Sequence, residues 1–141
     1  MFTYPSDDGR AAFVRLPRGV DLLESLNEAA AELAIEAGTL QIVGAVEELT
    51  VAYYRQDTKE YEPHRYTEAM EISGGVGNVS MKDGAPFVHI HVTGSRRDGS
   101  AVGGHLFPGT RVFMIEAYFR RLDGPAPVRT PEEDLGLPVW Q

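Results

Sequence analysis

Residues 87–106 read FVHIHVTGSRRDGSAVGGHL. The run Val88-His89-Ile90-His91-Val92 alternates between two sets of side chains with the period of a strand. Asp98-Gly99 supplies a turn, and a second short strand ends at Gly103-Gly104-His105. Successive side chains of a strand point to opposite faces, so His89 and His91 project to the same side. A hairpin centred near Asp98 sets His105 opposite His91, and three of the four histidines then share one patch. A two-residue Asp98-Gly99 turn would send His105 to the other face unless Gly103-Gly104 forms a bulge. Three convergent neutral imidazoles suit a divalent metal ion and leave it an open position. Zinc is the first expectation, followed by iron, nickel or copper.

Upstream of the hairpin, Gly74-Gly75-Val76-Gly77-Asn78 has the look of a phosphate loop. It opens no helix and lacks the Lys-Ser/Thr pair of a P-loop, so a bulged or tightly packed strand is expected instead. Further back, Leu40 to Val46 and Leu49 to Arg55 read as two strands, and Ala12 to Leu16 as a first one. Between them lies a helix over 21–37. Asp21 caps it with Glu24 three residues on, Leu22, Leu26, Ala29, Ala30, Leu33 and Ala37 form one apolar face, and Gly38 ends it. His64, beside Pro63, reads as a lone surface residue. Downstream, residues 111–121 form a long strand whose set Phe113, Ile115, Ala117 and Phe119 is expected in the core. Glu116 then stands on the other face among large neutral side chains. Residues 1–10 read as a loose lead-in, and the proline-rich residues 123–141 as an irregular arm. Its Leu135, Leu137, Val139 and Trp140 are apolar enough to dock, the surface of a neighbouring subunit being one destination.

The 141 residues form a single domain, long enough to bury a core without disulfides. There is no cysteine, so any metal site must use nitrogen and oxygen ligands. No apolar run approaches the ~20 residues needed to span a bilayer, and the N-terminus is unlike a signal peptide. A cytoplasmic setting without membrane partners is the default expectation. The net charge is −8, whereas duplex-binding surfaces are normally basic. The concentrated basic pairs are Arg96-Arg97 and Arg120-Arg121, and both read as solvated strand ends. The expected class is α+β, a mostly antiparallel sheet packed with one main helix.

Leu16-Pro-Arg-Gly-Val-Asp-Leu opening a helix, Ile42-Val-Gly-Ala, Glu60-Tyr61, Glu71-Ile72 before Gly77-Asn78, Pro86-Phe-Val-His-Ile-His, Gly103-Gly-His-Leu, and Arg129 with Asp134-Leu-Gly-Leu occur in an order that resembles the PPC (plants and prokaryotes conserved) domain. The combination of H-x-H with G-G-H-L is the specific part. The resemblance implies a compact antiparallel sheet with helices, assembled as a homotrimer, and a predicted DNA-binding or regulatory role. This chain has no AT-hook or basic arm, and Ala69-Met70-Glu71-Ile72-Ser73 lacks the arginine of the corresponding plant motif. The histidines match the prokaryotic form, for which a metal at His89, His91 and His105 is the expectation.

Two functions follow as expectations. One is a trimeric metal-binding domain with a DNA-binding or regulatory role, the net charge standing against DNA. The alternative is a metal-dependent enzyme of hydrolase or lyase type acting on a small molecule, with Glu116 or Glu71 as general base.

Overall fold

The computed structural model describes all residues, Met1–Gln141. Its strands are β1 (Phe2–Pro5), β2 (Ala11–Leu16), β3 (Gly38–Arg55), β4 (Glu60–Tyr66), β5 (Met70–Lys82), β6 (Ala85–Ser95), β7 (Ala101–Leu106), β8 (Arg111–Arg121), β9 (Arg129–Glu132) and β10 (Leu137–Trp140). One helix, α1 (Leu22–Glu32), is inserted between β2 and β3. The eight-stranded sheet runs β1-β2-β8-β3-β5-β6-β7, with β4 paired to β3, and every pairing is antiparallel. The first half of β3 pairs with β5, and Val51 and Ala52 in its second half pair with β7. β3, β5, β6 and β7 therefore close on themselves. No helix is long and apolar enough to cross a membrane.

The α+β expectation holds, and three boundaries move. The helix ends at Glu32 rather than near residue 37. Ala34 adopts a left-handed φ of 52°, and Ala34 N and Ile35 N donate to Ala31 O and Ala30 O at 3.0 and 2.9 Å. These two bonds close the last turn as a Schellman motif with alanine in the position usually held by glycine. Gly38 is then free to start β3, where a Cβ would lie 2.5 Å from Arg120 O. The two strands expected at 40–46 and 49–55 are one strand, β3. Glu47 and Glu48 interrupt the apolar pattern because they sit at a register shift and pair with surface arginines, Arg18 and Arg111 for Glu47, Arg65 and Arg111 for Glu48. The N-terminal lead-in contains β1, an exposed edge strand on β2.

In β8, Ile115, Ala117 and Phe119 are buried as expected, but Phe113 is half exposed and Val112 is buried in its place. The register against β3 shifts between Ala45↔Met114 and Val46↔Val112, leaving Phe113 as the extra residue of a bulge and reversing the face beyond it. The apolar core of 23 buried residues lies between α1 and the inner face of the sheet. Leu22, Leu26, Ala29 and Ala30 are fully buried there, each Leu worth about 2 kcal/mol of apolar burial. Asn27 locks α1 to β6: its Oδ1 accepts from Val88 N at 2.8 Å, and its Nδ2 donates to Leu23 O at 2.9 Å. This bond fixes the strand one residue before His89.

Candidate metal centre

On β6 the buried residues Val88, Ile90 and Val92 face the core, so His89 and His91 point to the outer face, away from α1. His105 on β7 stands directly opposite His91, and Ser95 opposite Ala101. The five residues 96–100 form the loop, with Arg96 N donating to Ser100 O at 2.8 Å and Gly99 N to Arg96 O at 3.0 Å. An unbroken register from His91 to Ser95 means that Gly103-Gly104 makes no bulge. The pairing closes on five loop residues rather than on a two-residue turn, and in that register His105 lies on the shared face. The glycine-rich segment lies within β5 as an ordinary but crowded strand: a Cβ on Gly77 would stand 2.3 Å from His89 O.

The three imidazole rings form a nearly equilateral triangle with centroid separations of 5.3, 5.0 and 5.4 Å. One nitrogen from each lies within 4.8 Å of the other two. A point within about 2.8 Å of all three therefore exists, since 4.8/√3 is about 2.8. Metal–imidazole bonds are about 2.0–2.1 Å, so each ring has less than about 1 Å to travel, within the reach of small side-chain rotations. The donor set is nitrogen only and needs neutral rings. Burial, together with the Arg129 guanidinium and His91, holds His89 below the ordinary imidazole range. Burial, then His89, His91 and Arg129, push His105 down to about 4. Both rings are neutral at pH 7. The residues present fit a divalent cation.

Neighbouring elements frame the triad. Tyr61 on β4 packs its ring 5.1 Å from that of His105, and Phe107 packs 6.4 Å from it. Burial raises the Tyr61 phenol, with Tyr54 adding to the effect and Arg129 opposing it. The C-terminal segment is not an irregular arm. β9 and β10 form a hairpin that lies on this chain's own sheet, because Tyr54 Oη donates to Leu135 O at 2.6 Å and Lys59 Nζ to Glu133 O at 2.7 Å. Arg129, on β9, reaches over β5: Nε donates to Ser80 Oγ at 2.8 Å and Nη2 to Asn78 Oδ1 at 3.1 Å, with His89 Nδ1 3.5 Å from Nη2. A cavity of about 780 Å³ opens over the triad, walled by both sheet and hairpin.

The structure thus brings His89, His91 and His105 together. It does not bring in Glu116 or Glu71. Glu116 is exposed and pairs across strands with Arg15 and Val43. Glu71 is exposed opposite Ala45 and Ser95, and neither lines the cavity. His64 is exposed, 3.6 Å from Glu62. Nothing in the residue pattern marks Tyr61 or Arg129 as functional beyond their place in the family-like motifs. The one available cue for Arg129 is a lone cation in a proline-rich, otherwise apolar and acidic segment.

Residues 5–123 match the family model described as the Plants and Prokaryotes Conserved (PCC) domain. The chain belongs to that family. Among solved structures, the metal-containing protein from Archaeoglobus fulgidus shares 38% identity with this PPC-domain chain at a TM-score of 0.89, covering 99% of this chain and 96% of that one. A plant- and prokaryote-conserved protein from Pyrococcus horikoshii shares 30% identity at a TM-score of 0.89, covering 99% and 94%. A presumed DNA-binding protein from Bacteroides thetaiotaomicron shares 29% identity at a TM-score of 0.89, covering 99% and 96%. No curated protein matches the PPC-domain sequence.

Proposed function

We propose that this PPC-domain protein binds one divalent metal ion per chain at His89, His91 and His105, with zinc as the preferred ion, and that this centre is its working site. The observation that carries the reading is the convergence of three ring nitrogens within 4.8 Å of one another on an accessible sheet face. The similarity to the Archaeoglobus protein described as metal-containing supports it. When bound, such a cation keeps open coordination positions and supplies Lewis acidity. The chain's own residues hold the rings in place: the β6–β7 register sets their spacing, Tyr61 and Phe107 flank His105, and the sheet excludes water from behind them.

The test is metal analysis of protein stripped with chelator and reloaded, followed by zinc titration. About one zinc per chain is expected, lost in H91A and H105A. Stripped protein with no zinc affinity refutes the reading.

The second reading, an enzyme of hydrolase or lyase type acting on a small molecule, is favoured by the cavity of about 780 Å³ over the triad, a size typical of ligand sites. Neither Glu116 nor Glu71 of the same chain reaches it, so a carboxylate base would have to come from elsewhere. A DNA-binding or regulatory role rests on the relatives alone. Six arginines are already paired with carboxylates, and the net charge is −8; a titration of duplex DNA at low and moderate salt should show no salt-dependent affinity. Homotrimer formation is supported by exposed apolar side chains, Phe13, Val43, Val76 and Met114 among them. Sedimentation equilibrium should give three times the chain mass.

A further inference from the structure

The cavity over the three imidazoles has a charge unlike that of the chain around it. The protein carries 21 acidic residues, yet none of the 18 residues lining the cavity is Asp or Glu. Its permanently charged side chains are Lys82 and Arg129, both cationic. Arg129 has no carboxylate partner. Its guanidinium is held by neutral acceptors, namely Ser80 Oγ, Asn78 Oδ1 and, from Nη1 at 3.1 Å, Pro138 O. The rings of Phe87 and Trp140 each lie 5.3 Å from the guanidinium carbon. Lys82 Nζ lies 5.2 Å from the same Phe87 ring.

A half-buried cation held only by neutral groups carries a desolvation cost that no partner in the chain offsets. Two strands and an aromatic pair nevertheless fix its orientation, and one Nη1–H remains free of a protein acceptor. An oriented guanidinium of this kind suits a planar anion. A polymer backbone would need cations along a track, whereas this cavity offers two, beside apolar walls that include Leu137 and Val139.

We propose that the cavity binds a small organic carboxylate, with Arg129 taking the carboxylate group and the carbon skeleton lying against Phe87, Leu137 and Val139. This deepens the reading of the three-histidine cavity as the working site, and rests on it: a cation at the imidazoles adds positive charge that an incoming anion balances. The cavity volume admits a molecule of metabolite to drug size.

The experiment is calorimetric titration of the zinc-loaded protein with mandelate and with 2-hydroxyisobutyrate, each compared with its neutral amide. At least one acid should bind on the order of tenfold tighter than its amide. R129Q should erase that preference, and R129K should keep part of it. A thermal melt establishes that each variant is folded; if R129Q is not, R129K and the comparison of acid with amide on the unaltered protein decide. Equal binding of both acids and their amides overturns the proposal, as does a folded R129Q that keeps the preference. Zinc titration of the same samples separates the two readings. Zinc uptake without a preference for either acid sinks the carboxylate site alone. A preference retained by stripped protein that takes up no zinc upholds the carboxylate site and sinks the metal.

Discussion

Replacing Gly77 by alanine tests the packing that holds the triad. Gly77 on β5 pairs with Ile90 on β6, between the two histidines of that strand. A Cβ there would lie 2.3 Å from His89 O, 2.8 Å from Ile90 Cβ and 2.9 Å from Ile90 Cα. Real Cβ contacts below 3.0 Å essentially do not occur, so at least about 0.7 Å must be found, and two of the three atoms are backbone. β6 cannot simply retreat, because β7 pairs with its far side from His91 to Ser95 and Asn27 holds Val88 N. Overpacking costs about 1–3 kcal/mol, and a clash with backbone belongs at the upper end. Against that, Gly→Ala lowers the entropy of the unfolded chain and returns about 0.4–1 kcal/mol. The net expectation is a loss of about 2 kcal/mol. With a urea m-value of about 2 kcal/mol/M the midpoint falls by about 1 M. Zinc affinity should fall with it, since His89 carries the displaced carbonyl. Gly74→Ala is the control, because a Cβ there meets nothing within 4 Å, and it should be neutral or mildly stabilising. A Gly77→Ala midpoint equal to or above that of the unaltered protein would refute the close-approach argument.

Three further outcomes are expected. Asp21→Ala removes both the cap on Glu24 N at 3.0 Å and the bond to Gly109 N at 2.6 Å, and should cost about 1–2 kcal/mol in urea unfolding followed by circular dichroism. Asn27→Ala leaves Val88 N without its acceptor and should cost about 1–3 kcal/mol; a change below about 0.5 kcal/mol would show that this bond does not anchor β6. On acidification the unfolded chain protonates His105 first, near the ordinary imidazole value of 6.5, while burial holds the folded ring neutral down to about 4. The metal-free protein should therefore be destabilised by this group as pH falls from 6.5 to about 4, with its full stabilising contribution above 6.5. Carboxylates titrate in the same range, so the measurement is the difference in melting temperature between the unaltered protein and H105Q across pH 4–7. A difference that grows in favour of the unaltered protein toward low pH would contradict the sign.

The parts of the fold that were legible are those in which one local pattern has one outcome. The V-H-I-H-V alternation fixed which side chains share a face, and the apolar spacing from Leu22 to Ala30 fixed which face of α1 is buried. The boundaries were less legible because a tertiary contact decided each of them. Ala34 turns left-handed to close α1, a position that nothing in its residue type announces. Glu47-Glu48 split the strand pattern in two, yet both carboxylates are placed by arginines distant in sequence, Arg18, Arg65 and Arg111. Phe113 fell out of the core through a bulge whose existence depends on β3. The three histidines could be read as a group because His89 and His91 alternate on one strand and His105 follows on the next; their register could not, because the pairing of β7 with β6 and β3 decides it. Arg129 could not, because its position depends on where the hairpin of β9 and β10 lands.

The continuous register of β6 with β7 bears on how this centre can be kept or lost as sequences diverge. β7 is held from both sides, by β6 along its length and by Val51 and Ala52 of β3 at its end, so residues 96–100 do not set the alignment. Length changes within that loop leave the triad aligned. A single residue inserted between Ala101 and His105 turns His105 toward the core while every ligand remains in the chain. A divergent sequence can therefore retain all three histidines and still have no centre, so counting imidazoles cannot replace checking the frame in which they are read.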